Sequence, residues 1–266
     1  MASTPRKIGF ILAATDQGTL ILNRFDYHMI DAKAGYGVGF TLLERSAYDT
    51  DEVTLVCQLL AFRRRYFGDG VIALDCGANI GVFTVEWAKA MTGWGSVLAI
   101  EAQERIYYAL AGNIAINNCF NARAIHAAVD AQPGTLRVPR PDYLSPGTFG
   151  SLELRYSPNA EFIGQSIDYS EANLTPVPAI SIDSLALPRI DLLKIDVERM
   201  EMAVLAGAQQ TIGRHLPIIL VERLKAQEAE LDGLLAAHGY RRYRIGLNLL
   251  AIHPSDPTGG HITQNA

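Results

Sequence analysis

The chain has 266 residues, of which 49% are hydrophobic and 19% charged, with a formal net charge of −5. That is enough apolar material for one large α/β domain, or two small ones, with a full core. The acidic balance excludes a general electrostatic attraction to nucleic acid or anionic membrane, and the three cysteines, Cys57, Cys76 and Cys119, lack metal-ligand spacing and read as free thiols in a reducing compartment.

At the N-terminus, Arg6-Lys7 followed by IGFILAA looks like the start of a secretory leader. The apolar run passes straight into Asp16-Gln17-Gly18 and TLILN, however, and two short apolar runs about a turn predict a β-hairpin between Lys7 and Met29. No stretch reaches the ~18 apolar residues of a membrane span, so a cytoplasmic protein is expected. AGYGVGF lacks the strand–Lys–helix context of a phosphate loop and reads as a flexible connector. DEVTLVCQLLAFRRRYF is helical up to Gly68, with Arg63-Arg64-Arg65 read as its solvated face. Residues 1–69 thus form an N-terminal hairpin-and-helix appendage, and 70–266 the main domain.

Residues 71–81, VIALDCGANIG, carry the strongest functional signal. The apolar run from Val71 ends at Asp75, breaks into a turn containing Gly77, Asn79 and Gly81, and resumes as a helical pattern, FTVEWAKAM. Such a strand–loop–helix unit sets backbone N–H groups and a helix N-terminus against a ligand. Glycine and asparagine are the residues that best tolerate positive φ there. The Asp-x-Gly-x-x-x-Gly spacing departs from the dinucleotide fingerprint Gly-x-Gly-x-x-Gly. An acid at the strand end suits a cationic amino acid head and would repel a pyrophosphate, which points to S-adenosylmethionine. After the next helix, GSVLAIEAQ is a strand ending in Glu101, where a carboxylate can accept ribose hydroxyls; that feature alone also serves NAD. The plain structural alternatives are a helix-capping role for Asp75 and an ordinary loop acid at Glu101.

From Val71 onward strands and helices alternate. The pattern gives helices at about Val82–Met91 and Ile106–Asn117, strands at 96–101 and ARAIHAAV, and a hairpin signal at Pro133-Gly134. It then gives the strand IDLLKID (190–196), the helix MEMAVLAGAQQTI ended by Gly213, the strand LPIILVE, the helix AQEAELDGLLAAHG, and YRRYRI and LNLLAIH as a terminal antiparallel pair about Gly246. The prediction is a doubly wound, mostly parallel, seven-stranded sheet with an antiparallel last strand, the Rossmann-like class I methyltransferase arrangement, with ligand at the carboxyl ends of the strands. Between 140 and 178 the periodicity fails. That segment holds Tyr143, Phe149, Tyr156, Phe162 and Tyr169, and reads as a substrate cover on loops separate from the cofactor contacts.

LDCGANIG, the IEA stretch leading to Asn117, AAVDAQPG, and above all IDLLKIDVERMEMAVLAGA with a downstream ILVE resemble the FkbM-type methyltransferases over roughly residues 70–225. The resemblance implies a class I, S-adenosylmethionine-dependent enzyme that methylates hydroxyl oxygens of sugars, glycans or secondary metabolites. It places Asp75, Gly77, Asn79 and Gly81 along the methionine and ribose of the cofactor, Glu101 on the ribose hydroxyls, and Ala128 to Asp130 by the adenine. Asp196 and Glu198 would face the reacting centre, with Glu222 at the tip of the fifth strand. Two positions depart from the family pattern. Arg199 stands where a glycine usually follows the acids, implying either strain or contact with an anionic acceptor, and Ala102-Gln103 stands where proline often follows Glu101.

Asp196 is the first candidate for general base and Glu198 the second, because a hydroxyl must lose its proton as it attacks. Lys194 shares their strand parity, which leaves a structural ion pair open. The paired acids could instead hold Mg²⁺ that binds a vicinal diol on the acceptor, but no third ligand can be named and no metal is expected. A small-molecule or glycan acceptor is expected, without nucleic-acid or membrane partners. N-methylation of a small molecule or protein, and a catalytically silent S-adenosylmethionine-binding module, are the competing functions.

Overall fold

The computed structural model describes residues 6–31, 34–222 and 228–262. It opens with the predicted hairpin, β1 (Phe10–Thr15) antiparallel to β2 (Gly18–Asn23). A two-residue pair, β3 (His28–Met29) with β4 (Gly35–Tyr36), leads to α1 (Val38–Arg45) and α2 (Thr50–Phe67), the latter stopped at Gly68 as read from the sequence. AGYGVGF is not a connector, since it supplies β4 and the start of α1. The reason is steric: a β-carbon at Gly37 or at Gly39 would stand 2.4 Å from the carbonyl oxygen of Asp26 or Asn23 respectively. The arginine run is also only partly solvated. Arg63 is buried, with Nε 2.9 Å from Asp191 and Nη1 2.8 Å from Asp256.

The main sheet follows the predicted alternation: β5 (Val71–Cys76), α3 (Val82–Ala90), β6 (Gly95–Glu101), α4 (Glu104–Ile116) and β7 (Ala122–His126). Next come β8 (Ala128–Val129), β9 (Gly134–Pro139), β10 (Leu174–Ile180), β11 (Leu192–Ile195), α5 (Glu201–Ala206) and α6 (Gln209–His215). The chain finishes with β12 (Ile218–Glu222), α7 (Glu228–Ala237), β13 (Arg241–Ile245) and β14 (Asn248–Ile252). Seven strands pair in the order β13-β14-β12-β11-β5-β6-β7, with β14 antiparallel to both neighbours and the other contacts parallel. The resulting mixed sheet with flanking helices resembles a Rossmann-like methyltransferase fold. Reversal of strand order at β5 and β11 opens a crevice at their carboxyl ends, where such sheets bind ligands.

Three expected element boundaries change. The third strand stops at His126, and Ala128–Val129 turns away to join β10 in a separate sheet ordered β8-β10-β9. Pro133-Gly134 therefore starts β9, whose partner β10 lies beyond residues 140–173 rather than across a local turn. The predicted helix 200–212 breaks at Gly207, where the Asp130 carbonyl oxygen approaches so closely that a β-carbon would stand 2.4 Å from it, and its second half runs on past Gly213 to His215.

Two apolar layers cover the main sheet. Val53, Val56, Leu59 and Leu60 of α2 pack with Trp87 and Met91 on one face. Val204, Leu205 and Ile212 of α5 and α6 pack with Leu74, Leu193 and Ile219 on the other. The hairpin is tied down by buried Asn113 of α4, which accepts from Ile21 N–H and donates to the carbonyls of Ile21 and Ile80, so its amide is well satisfied. Leu20, Leu22, Val38 and Leu42 share a core with Ile80, Ile106 and Phe149, which joins the N-terminal segment, the glycine loop and the 140–178 insertion. Among the described residues no helix is long and apolar enough to cross a membrane.

Candidate functional site

The loop after β5 is built by close backbone approach. Gly77 (φ +77), Asn79 (φ +51) and Gly81 (φ +87) all take left-handed conformations. A β-carbon on Gly81 would stand 2.5 Å from Leu110 Cδ1 at φ +87, so glycine at this N-cap of α3 avoids both strain and a shift of that leucine. The turn aims the Asn79 N–H at Glu101 Oε2, 3.0 Å away, while Gln103 N–H donates to Oε1 at 2.8 Å. Burial pushes the Glu101 carboxyl up to about 7 even though these donors favour its charged form.

Glu101, Gly77, Asn79 and Ala128 line a cavity of about 270 Å³ at the carboxyl edge of the sheet. Asp196, Glu198 and Glu222 open into the same space. One carboxylate oxygen from each lies within 4.8 Å of those of the other two. Glu222, expected at the tip of the fifth strand but not as a ligand, thus stands as a third acid beside the other two, and three such carboxylates are a donor set suited to a hard divalent cation. Lys194, buried beneath them, places Nζ 2.9 Å from Asp196 Oδ2 and 3.8 Å from Asp75 Oδ1. Burial works against the Lys194 charge, but Asp196 and Asp75 together hold its pKa above the ordinary lysine value.

Four expected contact residues lie off this cavity wall. Asp75 is buried, accepts from Thr84 Oγ1 at 2.6 Å and has its pKa raised by desolvation, while Gly81 caps α3. Asp130 pairs with Arg155 and also accepts from Ala131 N–H. Arg199 pairs with Glu153, Nε to Oε1 3.0 Å, and donates to the Asn159 carbonyl at 3.1 Å. Both Glu198 and Arg199 have positive φ, +53 and +71, so the position where a glycine was expected does carry strain. His126 lies against Tyr107, with ring centroids 5.1 Å apart, and its Nε2 is 3.1 Å from the Ala102 carbonyl.

Several wall residues had no signal in the sequence. Tyr36, Val38, Thr41 and Tyr48 come from the N-terminal segment. Thr148, Gly150, Leu152 and Leu154 come from the insertion read as a cover, so the cover and the residues expected at the cofactor lie on separate loops but border one cavity. Gln103 anchors that cover: its Nε2 donates to the Phe149 carbonyl at 2.7 Å, and Tyr143 Oη donates to its Oε1 at 3.0 Å. The crowding of Gly35, Gly37 and Gly39 was the one available hint, because glycines that close together mark tight packing as readily as flexibility.

A second, more open chamber of about 710 Å³ adjoins the first through Tyr48, Asp196 and Glu222. It is lined by Asp49, Asp51, Glu52 and Asn248 and contains Lys194, already engaged by acids, with Arg45 at its rim. Desolvation raises the carboxyl pKa of Asp49 and of Glu52; Lys194 opposes the rise at both, and nearby Asp196 adds to it. This wall attracts cations and repels anions.

The methyltransferase FkbM domain model matches residues 75–242. Among solved structures, the chain is similar to a methyltransferase FkbM from Methylobacillus flagellatus KT, at 15% identity and a TM-score of 0.47, covering 72% of this chain and 48% of that one. It is similar to a precorrin-6y C5,15-methyltransferase from Geobacter metallireducens GS-15 at 12% identity and a TM-score of 0.43, covering 77% and 88%. It is similar to monomeric WbdD at 11% identity and a TM-score of 0.47, covering 82% and 44%. The chain therefore spans about half the length of the first of these structures. No curated protein matches it.

Proposed function

The chain belongs to the methyltransferase FkbM domain family, and from that premise we propose that it transfers a methyl group from S-adenosylmethionine to a hydroxyl on a sugar, glycan or secondary metabolite. The observation that carries this reading is the single cavity in which Glu101 and the glycine loop stand on one side and Asp196, Glu198 and Glu222 on the other. Under this reading a carboxylate for the nucleoside and a candidate base would share one small space, which is what an in-line transfer requires.

The residues present fit the cofactor. Glu101 accepts backbone N–H groups from Asn79 and Gln103 on different oxygens and retains acceptor capacity for ribose hydroxyls. The backbone at Gly77 and Asn79 would border the methionine portion, and Ala128 the adenine. When bound, S-adenosylmethionine supplies an electrophilic methyl on a cationic sulfur. Asp196 would take the acceptor's hydroxyl proton as its oxygen gains the methyl. Lys194 occupies Oδ2 of Asp196, so Oδ1 is the oxygen assigned to that proton. Glu198 and Glu222 would hold neighbouring hydroxyls.

The acidic second chamber favours a neutral or cationic acceptor and supports N-methylation of an amine as the second reading. Two measurements decide. Calorimetry should show S-adenosylhomocysteine binding and no NAD binding. Transfer of labelled methyl to cell-extract fractions, followed by NMR of the purified product, separates an ether from an N-methyl amine by the chemical shift of the new methyl carbon. NAD binding with no S-adenosylhomocysteine binding would overturn the proposal.

A further inference from the structure

Asp130 and Arg199, both expected at the ligand, instead hold the same short piece of the insertion from two sides. Glu153 on that piece reaches Arg199, and Arg155, two residues on, reaches Asp130. The segment between Thr148 and Leu154 lines the cavity that contains Glu101 and Glu198. We propose that Arg199 and Asp130 are positioning residues that clasp this strap over the cavity, so that ligand exchange requires the Arg199–Glu153 pair to open. This rests on the reading that the cavity takes the nucleoside cofactor.

The two pairs differ in weight. Arg155 is half-exposed, and a pair of that kind is well screened by water. The Glu153 side chain is only 3% exposed, so its carboxylate has little access to solvent. Apart from Arg199, it accepts from Glu161 N–H at 3.1 Å. Removing the guanidinium leaves a buried charge poorly compensated, which favours an open strap in which Glu153 reaches water. Tyr169 Oη donates to the Glu153 carbonyl at 2.7 Å, so the backbone at this point is also held from within the insertion. At its other end the strap is anchored independently, by Gln103 on the Phe149 carbonyl and by Asp26 on the Phe149 N–H. The clasp thus acts on the half of the cover that Gln103 and Asp26 do not hold.

Arg199 also sits next to Glu198 in a turn whose two residues both have positive φ. The Arg199 N–H donates to buried Glu201 at 3.2 Å, which fixes the turn beneath the side chain. Glycine would suit this backbone better than arginine does. The arginine is therefore best explained by its side chain, and the clasp provides that explanation.

Arg199→Gly separates the two effects. It relieves the left-handed strain and deletes the clasp. The clasp predicts that amide hydrogen exchange across 150–161 accelerates while the global unfolding midpoint holds or rises. It also predicts that S-adenosylhomocysteine dissociates about tenfold faster or more, with a smaller change in association, as interface losses usually appear in the off-rate. Arg199→Lys should retain part of the parent's behaviour. Glu153→Gln should accelerate exchange as Arg199→Gly does, and the two together should do no more than either alone. Parent-like exchange and parent-like dissociation in a folded Arg199→Gly protein would overturn the clasp. If the parent binds no S-adenosylhomocysteine, the cofactor reading fails, and the exchange measurement alone still decides the clasp.

Discussion

A β-carbon built on Gly77 would lie 1.7 Å from the backbone carbonyl oxygen of Asp196. The tips of β5 and β11 are therefore locked together at the point where the glycine loop meets the candidate base, and Asp196 N–H donates to the Cys76 carbonyl at 3.0 Å beside them. One residue sets the spacing of both halves of the site.

Gly77→Ala should accordingly be among the most damaging single changes in the chain. It introduces both a clash with backbone and a side chain at φ +77. A loss of roughly 3 kcal/mol or more is expected, since steric overlap and left-handed strain add. Urea unfolding measures it. A cost below about 1 kcal/mol, within the range of ordinary surface substitutions and a little beyond, would mean that the two strand tips can separate freely.

Glu101 should couple ligand binding to protons. Its carboxyl is pushed up to about 7 by burial, whereas hydroxyl donors from a ribose favour the ionised form. S-adenosylhomocysteine binding near pH 6.5 should therefore release protons, visible in calorimetry as a dependence of the apparent enthalpy on buffer ionisation, and affinity should rise as pH increases through 7. For folding the sign is opposite. The native state binds the proton more tightly than the unfolded chain, so this residue's contribution to stability is greatest at low pH and is lost as pH rises from the ordinary glutamate range to about 7. Glu101→Gln should flatten both profiles.

Glu101→Ala should weaken S-adenosylhomocysteine binding by about 1.5–3 kcal/mol, the scale of hydrogen bonds to a charged group. Equilibrium calorimetry reads it directly, and unchanged affinity would remove Glu101 from the ribose site.

The sheet was legible because its cues are local. Buried strands such as IDLLKID announce themselves by continuous apolar runs, and the glycine loop by residues tolerant of positive φ. What the sequence concealed depends on partners distant in the chain. Arg63 reads as one of three surface arginines until Asp191 and Asp256 are placed beside it. Glu222 could be placed at a strand tip, but its approach to Asp196 and Glu198 follows only once β12 lies beside β11. Gly37 signals a close approach to Asp26 as readily as a hinge, and without the fold the two cannot be told apart.

The insertion provides a sharper example, because its aromatic residues suggested a cover while Phe149 is fully buried in a core with Leu20, Leu42 and Ile106. Phe149→Ala should cost about 3–5 kcal/mol, the usual price of removing a large core aromatic. Thermal or urea unfolding would show it, and a cost near that of a surface change would mean that the segment merely rests on the domain.

Asp196 decides the chemistry. Its side chain is 40% exposed, it lines both chambers, and one of its oxygens is held by Lys194. Asp196→Asn preserves shape but cannot take a proton. If Asp196 is the base, kcat should fall by about 10²-fold or more, with little change in S-adenosylhomocysteine affinity, as expected for loss of general-base catalysis. If its main task is to hold a cation with Glu198 and Glu222, the parent should lose activity to a chelator and regain it with Mg²⁺, while the variant should need more metal to respond. If it serves only to neutralise Lys194, the variant should be less stable, because a buried ammonium would depend on Asp75 3.8 Å away, and turnover should be normal. Lys194→Met completes the test. It removes the ammonium that holds Oδ2, so a purely structural pair predicts lost stability with normal turnover, and the base assignment predicts that transfer still depends on Asp196. A stable Asp196→Asn protein with parental kcat would reject the base role and transfer it to Glu198.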